Sequence, residues 1–415
     1  MTVDSKLDML LSRGREYEDE LINFLSGFIQ VKSVNPPGDV REAAEYVQSF
    51  LSKWGLQSRW IEPKEGVVTI YSNVGGEDYI MLNGHMDVVP EGDHSRWTYP
   101  PYSGKIVDGY VYGRGASDMK GGLSALIFAY AVFTNVFDKF DRGVSLAAVG
   151  DEEVGGQYGS LYIAEELGIK PNYVLLGEPS TLNYYNIGEK GIVWYRVKVV
   201  GEPAHASVSP YAGDNAILKA GEVIKEIYKL SEIDFEPPGD IRDIAIQSGL
   251  KAKELLGLDG IEKIFFRLSC NVGLINGGVK TNVVAPECTI DFDMRIPHAI
   301  TVDDVLKLVG EKLSKFDGVS IEKISGHDPN YTNPETPLAK VIEESAYEEM
   351  GYKPKPSLVM GATDGRHFRL KGCDAVVYGP GEWSRIHGFD ERIEINDVKR
   401  AFRVYLRILY RMLKP

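Results

Sequence analysis

An apolar run, Tyr79-Ile-Met-Leu-Asn, stops at Gly84 and is followed at once by His85 and, two positions on, by Asp87. A run of this length that ends at a glycine predicts a buried strand of a parallel sheet, since only strands covered on both faces are apolar throughout. In open parallel sheets, chemistry collects at the carboxyl ends of the strands. In extended chain, positions i and i+2 face the same way, so one of these side chains can bind a metal while the other grips the imidazole's second nitrogen. A single His-x-Asp is more often an ordinary loop pair. The segments that follow change that balance.

With 415 residues the chain exceeds the size at which single cores stop growing, so two domains are the default. Sixty Asp and Glu against 46 Lys and Arg leave a net charge of -14, which argues against nucleic acid or an anionic membrane as partner. Cys270, Cys288 and Cys373 are odd in number and widely spaced, and predict neither a disulfide framework nor a thiolate zinc site. The first 30 residues mix charged and apolar positions at helical spacing and carry no export pattern, and no run of 18 apolar residues occurs. The expectation is a soluble cytoplasmic protein in a reducing compartment.

Residues 5–30 and 39–54 show apolar positions three and four apart, divided by Asn35-Pro36-Pro37-Gly38, which predicts two amphipathic helices. Strands near 67–72, 79–82, 144–149 and 173–176 then alternate with helical patterns starting at Lys120 and Gly159, the order of a parallel sheet covered on both faces. From Gly188 the texture changes to alternating strands such as Ile192–Val200, the pattern of a half-solvated sheet. The predicted architecture is α/β. A catalytic domain with a mostly parallel sheet flanked by helices (1–187 and 328–415) is interrupted by a smaller two-layer α/β domain (188–327), in which 237–260 reads as a polar excursion.

Five segments carry candidate chemistry: His85-x-Asp87, Asp118 in Gly113–Gly122, Glu152-Glu153, Glu178 before Pro179, and His387. Each has an ordinary explanation alone, as a solvated turn or a loop histidine. Gly113-x-Gly115 opening a helix suggests a nucleotide cradle, but Asp118 stands where the third glycine belongs and no Gly-Lys-Ser or Gly-Lys-Thr follows. Imidazoles and carboxylates without thiolates suit zinc, cobalt or manganese. Three ligand carboxylates against two divalent ions leave one positive charge, which a bridging hydroxide would neutralise.

In their order, these segments resemble the dinuclear zinc amidohydrolase and exopeptidase family of acetylornithine deacetylase, succinyl-diaminopimelate desuccinylase, aminoacylase and carboxypeptidase G. The matching stretches are Gly84–Pro90, Gly113–Gly122, Asp151–Glu153, Gly177–Pro179, Gly201–Ser207, Thr281–Glu287, Met294-Arg295 and Gly361–Arg366. The resemblance implies one ion held by His85, Asp118 and Glu178 and a second by Asp118, Glu153 and His387, with Asp118 bridging. It makes Glu152 the general base, Asp87 the carboxylate that orients His85, and His205 an oxyanion donor. Asn282, Arg295 and Arg366 become substrate-binding residues. The inserted domain becomes a lid and dimerisation surface of a homodimer. The implied reaction is hydrolysis of the amide of an N-acyl amino acid by metal-activated water. A carboxypeptidase or dipeptidase is the alternative on the same scaffold, and a non-catalytic metal-binding scaffold is disfavoured by the intact base.

Overall fold

The computed structural model describes residues 3–415 and divides into two compact units. One comprises the chain through Ile187, Tyr331–Ser357 and Thr363–Pro415; the other comprises Gly188–Asn330 and Leu358–Ala362.

In the first unit, the N-terminal pattern expected as one helix over 5–30 is two, Val3–Glu16 and Glu18–Gln30, with Arg41–Lys53 following as expected. The break at Tyr17 has an electrostatic basis. Arg13 and Arg15 sit in the last turn of the first helix, and Glu18, Asp19 and Glu20 in the first turn of the second. Each group complements the end charge of its own helix, so the junction is stabilised although the apolar period runs through it.

A nine-stranded sheet forms the centre. Four of its strands, Gly143–Val149, Asp78–His85, Tyr173–Leu176 and Asp374–Val377, lie side by side and parallel in that order. They are short and apolar because helices cover both faces; every residue of Gly143–Val149 is buried. On one side the hairpin Arg59–Lys64 and Val67–Val74 joins antiparallel to Gly143–Val149, and on the other Tyr184–Glu189 joins antiparallel to Asp374–Val377. The sheet is thus mostly parallel at its core. The helix Gly121–Val136 is buried from Gly121 through Phe133. Although Ala116–Val136 is long and apolar enough to cross a membrane, 83% of its most apolar window lies buried inside the fold, which marks it as a core helix.

Three glycines let this helix meet the strand ends. A Cβ at Gly122 would run into the carbonyl oxygen of Gly177, and so would one at Gly379, while one at Gly177 would press on Leu126 and the backbone of Gly122. The main chains of one helix and two strand ends therefore touch where Glu178 begins.

The second unit is a four-stranded antiparallel sheet ordered Ser269–Gly277, Glu287–Ile296, Gly191–Val200, Val319–His327. Strict alternation buries Val193, Tyr195, Val197 and Val199 against the helices Ala216–Tyr228 and Val302–Leu313, while Trp194, Arg196, Lys198 and Val200 face outward. Asn215 caps the first helix, and a Thr301–Asp304 capping box starts the second. The stretch expected as a polar excursion contains a 15-residue helix, Arg242–Leu256, which ends at Gly257 in the left-handed conformation (φ 66°). Its mixed charges obscure the helical period. The buried Lys190 ammonium donates to Ile264 O (2.8 Å), Arg267 O (2.7 Å) and Ser269 Oγ (3.1 Å), fixing the chain that leads out of this region.

Gly122→Ala should destabilise the protein by on the order of 3 kcal/mol in urea unfolding, because both colliding groups are main chain and cannot rotate away. Gly221→Ala provides the contrast. It lies in the helix Ala216–Tyr228 with nothing within 4 Å of a new Cβ, and should stabilise by roughly 0.4–1 kcal/mol.

Candidate metal centre

The first unit brings six of the predicted residues together. His85 closes the strand Asp78–His85, and Glu178 follows the strand Tyr173–Leu176. Glu152 and Glu153 form a single helical turn just past the strand Gly143–Val149. Asp118 lies in the turn that opens the helix Gly121–Val136, where Gly115 takes the left-handed conformation (φ 83°) that a Cβ would strain. His387 sits in the loop after the strand Asp374–Val377 and is itself left-handed (φ 62°), a backbone state that a non-glycine residue holds only when its surroundings enforce it.

His85 Nε2 lies 3.1 Å from Asp118 Oδ1 and 3.5 Å from Glu178 Oε1. His387 Nε2 lies 3.3 Å from both Asp118 Oδ2 and Glu153 Oε2. Asp118 thus turns one oxygen to each imidazole. Two sets of donor atoms result, His85–Asp118–Glu178 and Asp118–Glu153–His387, each lying within 4.8 Å of one another. The donor chemistry fits a pair of divalent ions. Glu153 Oε1 is buried without a hydrogen-bond partner, which leaves a desolvated acceptor for a cation to satisfy.

Electrostatics give the same picture. Burial raises Glu152 well above the ordinary carboxylate range, and Glu178 adds to the rise. Glu178 rises from 4.5 to about 7, through burial first and with Asp118 opposing its ionisation. Glu153 is raised by burial as well. Asp118 goes the other way: burial opposes its charge, yet hydrogen bonds from His387 and His85 hold it well below its usual value. The bonds of His387 to Asp118 and Glu153 push it up to about 10. At His85, burial alone would depress the imidazole, but the surrounding carboxylates outweigh it and raise it. Positive charge is wanted between these carboxylates.

The second nitrogen of His85 turns to Asp87. Nδ1 lies 2.9 Å from the main-chain oxygen of Asp87 and 3.4 Å from its carboxylate. That carboxylate also accepts the main-chain N–H groups of Glu152 and Glu153 at 3.2 Å each, and the Asn35 amide at 2.9 Å. One residue therefore holds the imidazole with its backbone and the Glu152-Glu153 turn with its side chain. Arg366 is buried in the same unit and donates to Thr363 O and Gly155 O at 2.7 Å each, which ties it to the residue just after that turn. Sequence reasoning passed over Asn35, Arg114 and Glu391, all of them buried and all bonded to the segments that bear ligands. For Asn35 the only signal was its place in a proline-glycine loop.

His205, Asn282 and Arg295 belong to the second unit. His205 forms an isolated antiparallel bridge with Val283, and Ala206 N–H donates to Asn282 O at 3.1 Å. His205 Nδ1 accepts the N–H of Ser207 at 3.2 Å, with Ser207 Oγ at 2.7 Å. An accepting Nδ1 leaves Nε2 protonated in the neutral ring, the form that donates. Arg295 closes Nε and Nη2 on the two carboxylate oxygens of Asp293, at 2.8 and 2.9 Å.

A family model described as Peptidase family M20/M25/M40 matches residues 81–411, a span that includes every residue of the two donor sets. The chain belongs to this family. It is a metal-dependent hydrolase. A probable succinyl-diaminopimelate desuccinylase of Staphylococcus epidermidis is 28% identical over 419 residues, covering 94% of this chain and 98% of the relative. An M20 family metallo-carboxypeptidase from Sulfolobus solfataricus shares the fold with a TM-score of 0.74 at 23% identity, covering 94% of this chain and 97% of the other. A di-peptidase from Saccharomyces cerevisiae does so at 0.71 and 15% identity, covering 98% and 99%.

The raised carboxyls make the metal-free hydrolase pH-sensitive. A carboxyl whose folded pKa is raised binds its proton more tightly in the folded state, so its contribution is lost as pH rises from the unfolded value through the folded one. For Glu178 that window runs from 4.5 to about 7, and Glu152 and Glu153 shift in the same direction. Asp118 has the opposite sign but titrates below this range. The melting temperature of chelator-treated protein should therefore fall between about pH 5 and 7, and saturating zinc should remove the slope. A melting temperature independent of pH in the stripped protein would contradict this account.

Proposed function

We propose that this M20 hydrolase removes the acyl group of an N-acyl amino acid bearing a free carboxylate, in the manner of a deacetylase or desuccinylase. The observation that carries the reading is the pair of donor sets sharing Asp118, with Glu152 beside one of them and belonging to neither. Likeness along nearly the whole chain to a desuccinylase relative supports the N-acyl substrate. A carboxypeptidase or dipeptidase is the second reading, favoured by likeness of fold to the two peptidases.

His85, Asp118 and Glu178 would hold one ion and Asp118, Glu153 and His387 the other, zinc first with cobalt or manganese as alternatives. When bound, such ions supply Lewis acidity toward the amide and ease the ionisation of water. Glu152 takes the proton of the attacking water on its carboxylate and returns it to the leaving amine. Burial, with the charge of Glu178 beside it, raises its affinity for protons above that of an ordinary carboxylate. The Nε2–H of His205 is the donor for the oxyanion. Asn282 and Arg295 bind the substrate, Arg295 through its guanidinium edge beyond the Asp293 pair, and Arg366 binds it from a guanidinium anchored on two carbonyls.

A homodimer joined through the second unit is part of the reading. The edge strand Ser269–Gly277 pairs on one side with Glu287–Ile296 and exposes Leu274 and Ile275, and Ile217 of the neighbouring helix packs where a Cβ at Gly277 or Gly278 would lie. Exposed apolar edges of this kind favour pairing with another chain. The three unpaired cysteines support a reducing, cytoplasmic setting.

N-acetyl, N-succinyl and N-formyl amino acids should be cleaved faster than dipeptides when assayed with added zinc, cobalt or manganese; faster dipeptide cleavage would favour the second reading. Glu152→Gln should retain two ions per chain by elemental analysis and lose kcat by at least ~10²-fold. Loss of metal in that variant would instead make Glu152 a ligand. Leu274→Lys should shift sedimentation from dimer to monomer, and an unchanged dimer would place the interface elsewhere.

A further inference from the structure

A single buried carboxylate organises the segment that carries the bridging ligand. Glu391 is 1% exposed and follows His387 by four residues. Its Oε1 accepts the main-chain N–H groups of Ser117 and Asp118 at 3.0 Å each. Its Oε2 accepts the N–H of Gly115 at 3.1 Å and Arg114 Nη1 at 2.6 Å. Three successive-turn amides converging on one carboxylate form an anion-binding nest, which exists because Gly115 is left-handed. Arg114, 2% exposed, reaches onward from the same ion pair, with Nη2 at 3.3 Å from Pro90 O and 3.4 Å from His387 O. The Ser117 hydroxyl donates to Arg392 O at 2.7 Å and accepts the N–H of Glu382 at 2.9 Å, so the two loops are also tied outside the carboxylate.

We infer that Glu391, through its pair with Arg114, is a positioning residue that sets the Asp118 turn in its ligating shape before any ion binds. It touches none of the donor atoms. It acts by fixing the backbone on which Asp118 turns one oxygen to each donor set, while Arg114 holds the carbonyl of His387, a ligand to the second set, and that of Pro90 in the loop after His85. The inference rests on the two-ion reading of the site. A carboxylate is the residue for this place because the nest and the guanidinium supply only donors. A glutamine would turn an NH2 group toward Arg114 or toward the amides, with no acceptor for one of them.

Zinc titration of the stripped full-length protein against a chelating dye tests it, together with the visible spectrum of the dicobalt form. Wild type that fails to take up two ions would defeat the two-ion reading, not this inference alone. Given two ions in wild type, Glu391→Gln should weaken zinc binding roughly 10- to 100-fold, the scale for lost partners of metal ligands. It should also alter the cobalt spectrum, which a merely structural change remote from the ligands would leave alone. Wild-type affinities and spectrum in Glu391→Gln would overturn the inference. Should that variant not fold, Arg114→Lys gives the same two readings, because lysine keeps a charge beside Glu391 but cannot also serve the Pro90 and His387 carbonyls. Wild type itself supplies a further check. The amides of Gly115, Ser117 and Asp118 should remain protected from hydrogen exchange after chelation, whereas protection that vanishes with the ions would show that metal, not Glu391, shapes the turn.

Discussion

Mutual repulsion among buried carboxylates is the constraint on which the catalytic unit is built. Asp118, Glu152, Glu153 and Glu178 are gathered at the ends of parallel strands, where low dielectric strengthens like-charge repulsion as much as attraction. Two imidazoles offset part of it. The rest of the architecture answers the remainder by attaching each of these side chains to backbone that cannot retreat: strand ends for His85 and Glu178, a helical turn fixed by Asp87 for Glu152 and Glu153, and a nest closed by Glu391 for Asp118. Asp87 and Glu391 bond in the same way to two different segments. Each is a carboxylate that accepts main-chain N–H groups from a ligand-bearing segment, so each converts a charge that would add to the repulsion into a hydrogen-bonded anchor.

Close packing of backbones makes this arrangement possible. Asp118 precedes the helix Gly121–Val136 by three residues and Glu178 follows the strand Tyr173–Leu176 by two, so their separation depends on how near that helix comes to that strand's end. Gly122, Gly177 and Gly379 remove the side chains that would hold them apart. A stability feature and a ligand geometry are here one contact. The helix is apolar on every side for a related reason, since its outer face lies against the C-terminal helix Ile395–Leu413 and the N-terminal helices rather than water, and Lys120 just before it donates to Phe28 O and Val31 O, at 3.0 and 2.7 Å.

What could be read in the chain beforehand followed from local periodicity, and what could not depended on contacts distant in sequence. His85, Glu152, Glu153 and Glu178 stand just past apolar runs that end at glycine or at a strand end, so strand physics alone points to them. His387 lies in a loop with no period: it is a candidate only beside the other four segments, and the resemblance to a family is what assigns it to the second ion. Glu391 sits in Asp390-Glu391-Arg392, which reads as a solvated charged turn; its burial arises from a nest more than 270 residues earlier in the chain. The helix break at Tyr17 was hidden because the apolar stripe passes through it, and the helix Arg242–Leu256 because charges interrupt its stripe.

The first unit holds the full donor set within itself, as every residue of both triads belongs to it. Metal binding is therefore decided by contacts among Asp87, Asp118, Glu391 and their neighbours, none of which lies in the second unit. The proposed substrate groups divide differently. His205, Asn282 and Arg295 stand on an antiparallel sheet and its loops, whose exposed positions alternate with a separate core of their own. The side chains that pack this sheet form a cluster distinct from the one packed on the parallel strands of the first unit. The groups proposed to bind substrate on that sheet and its loops therefore stand on a core separate from the strands that carry the ligands.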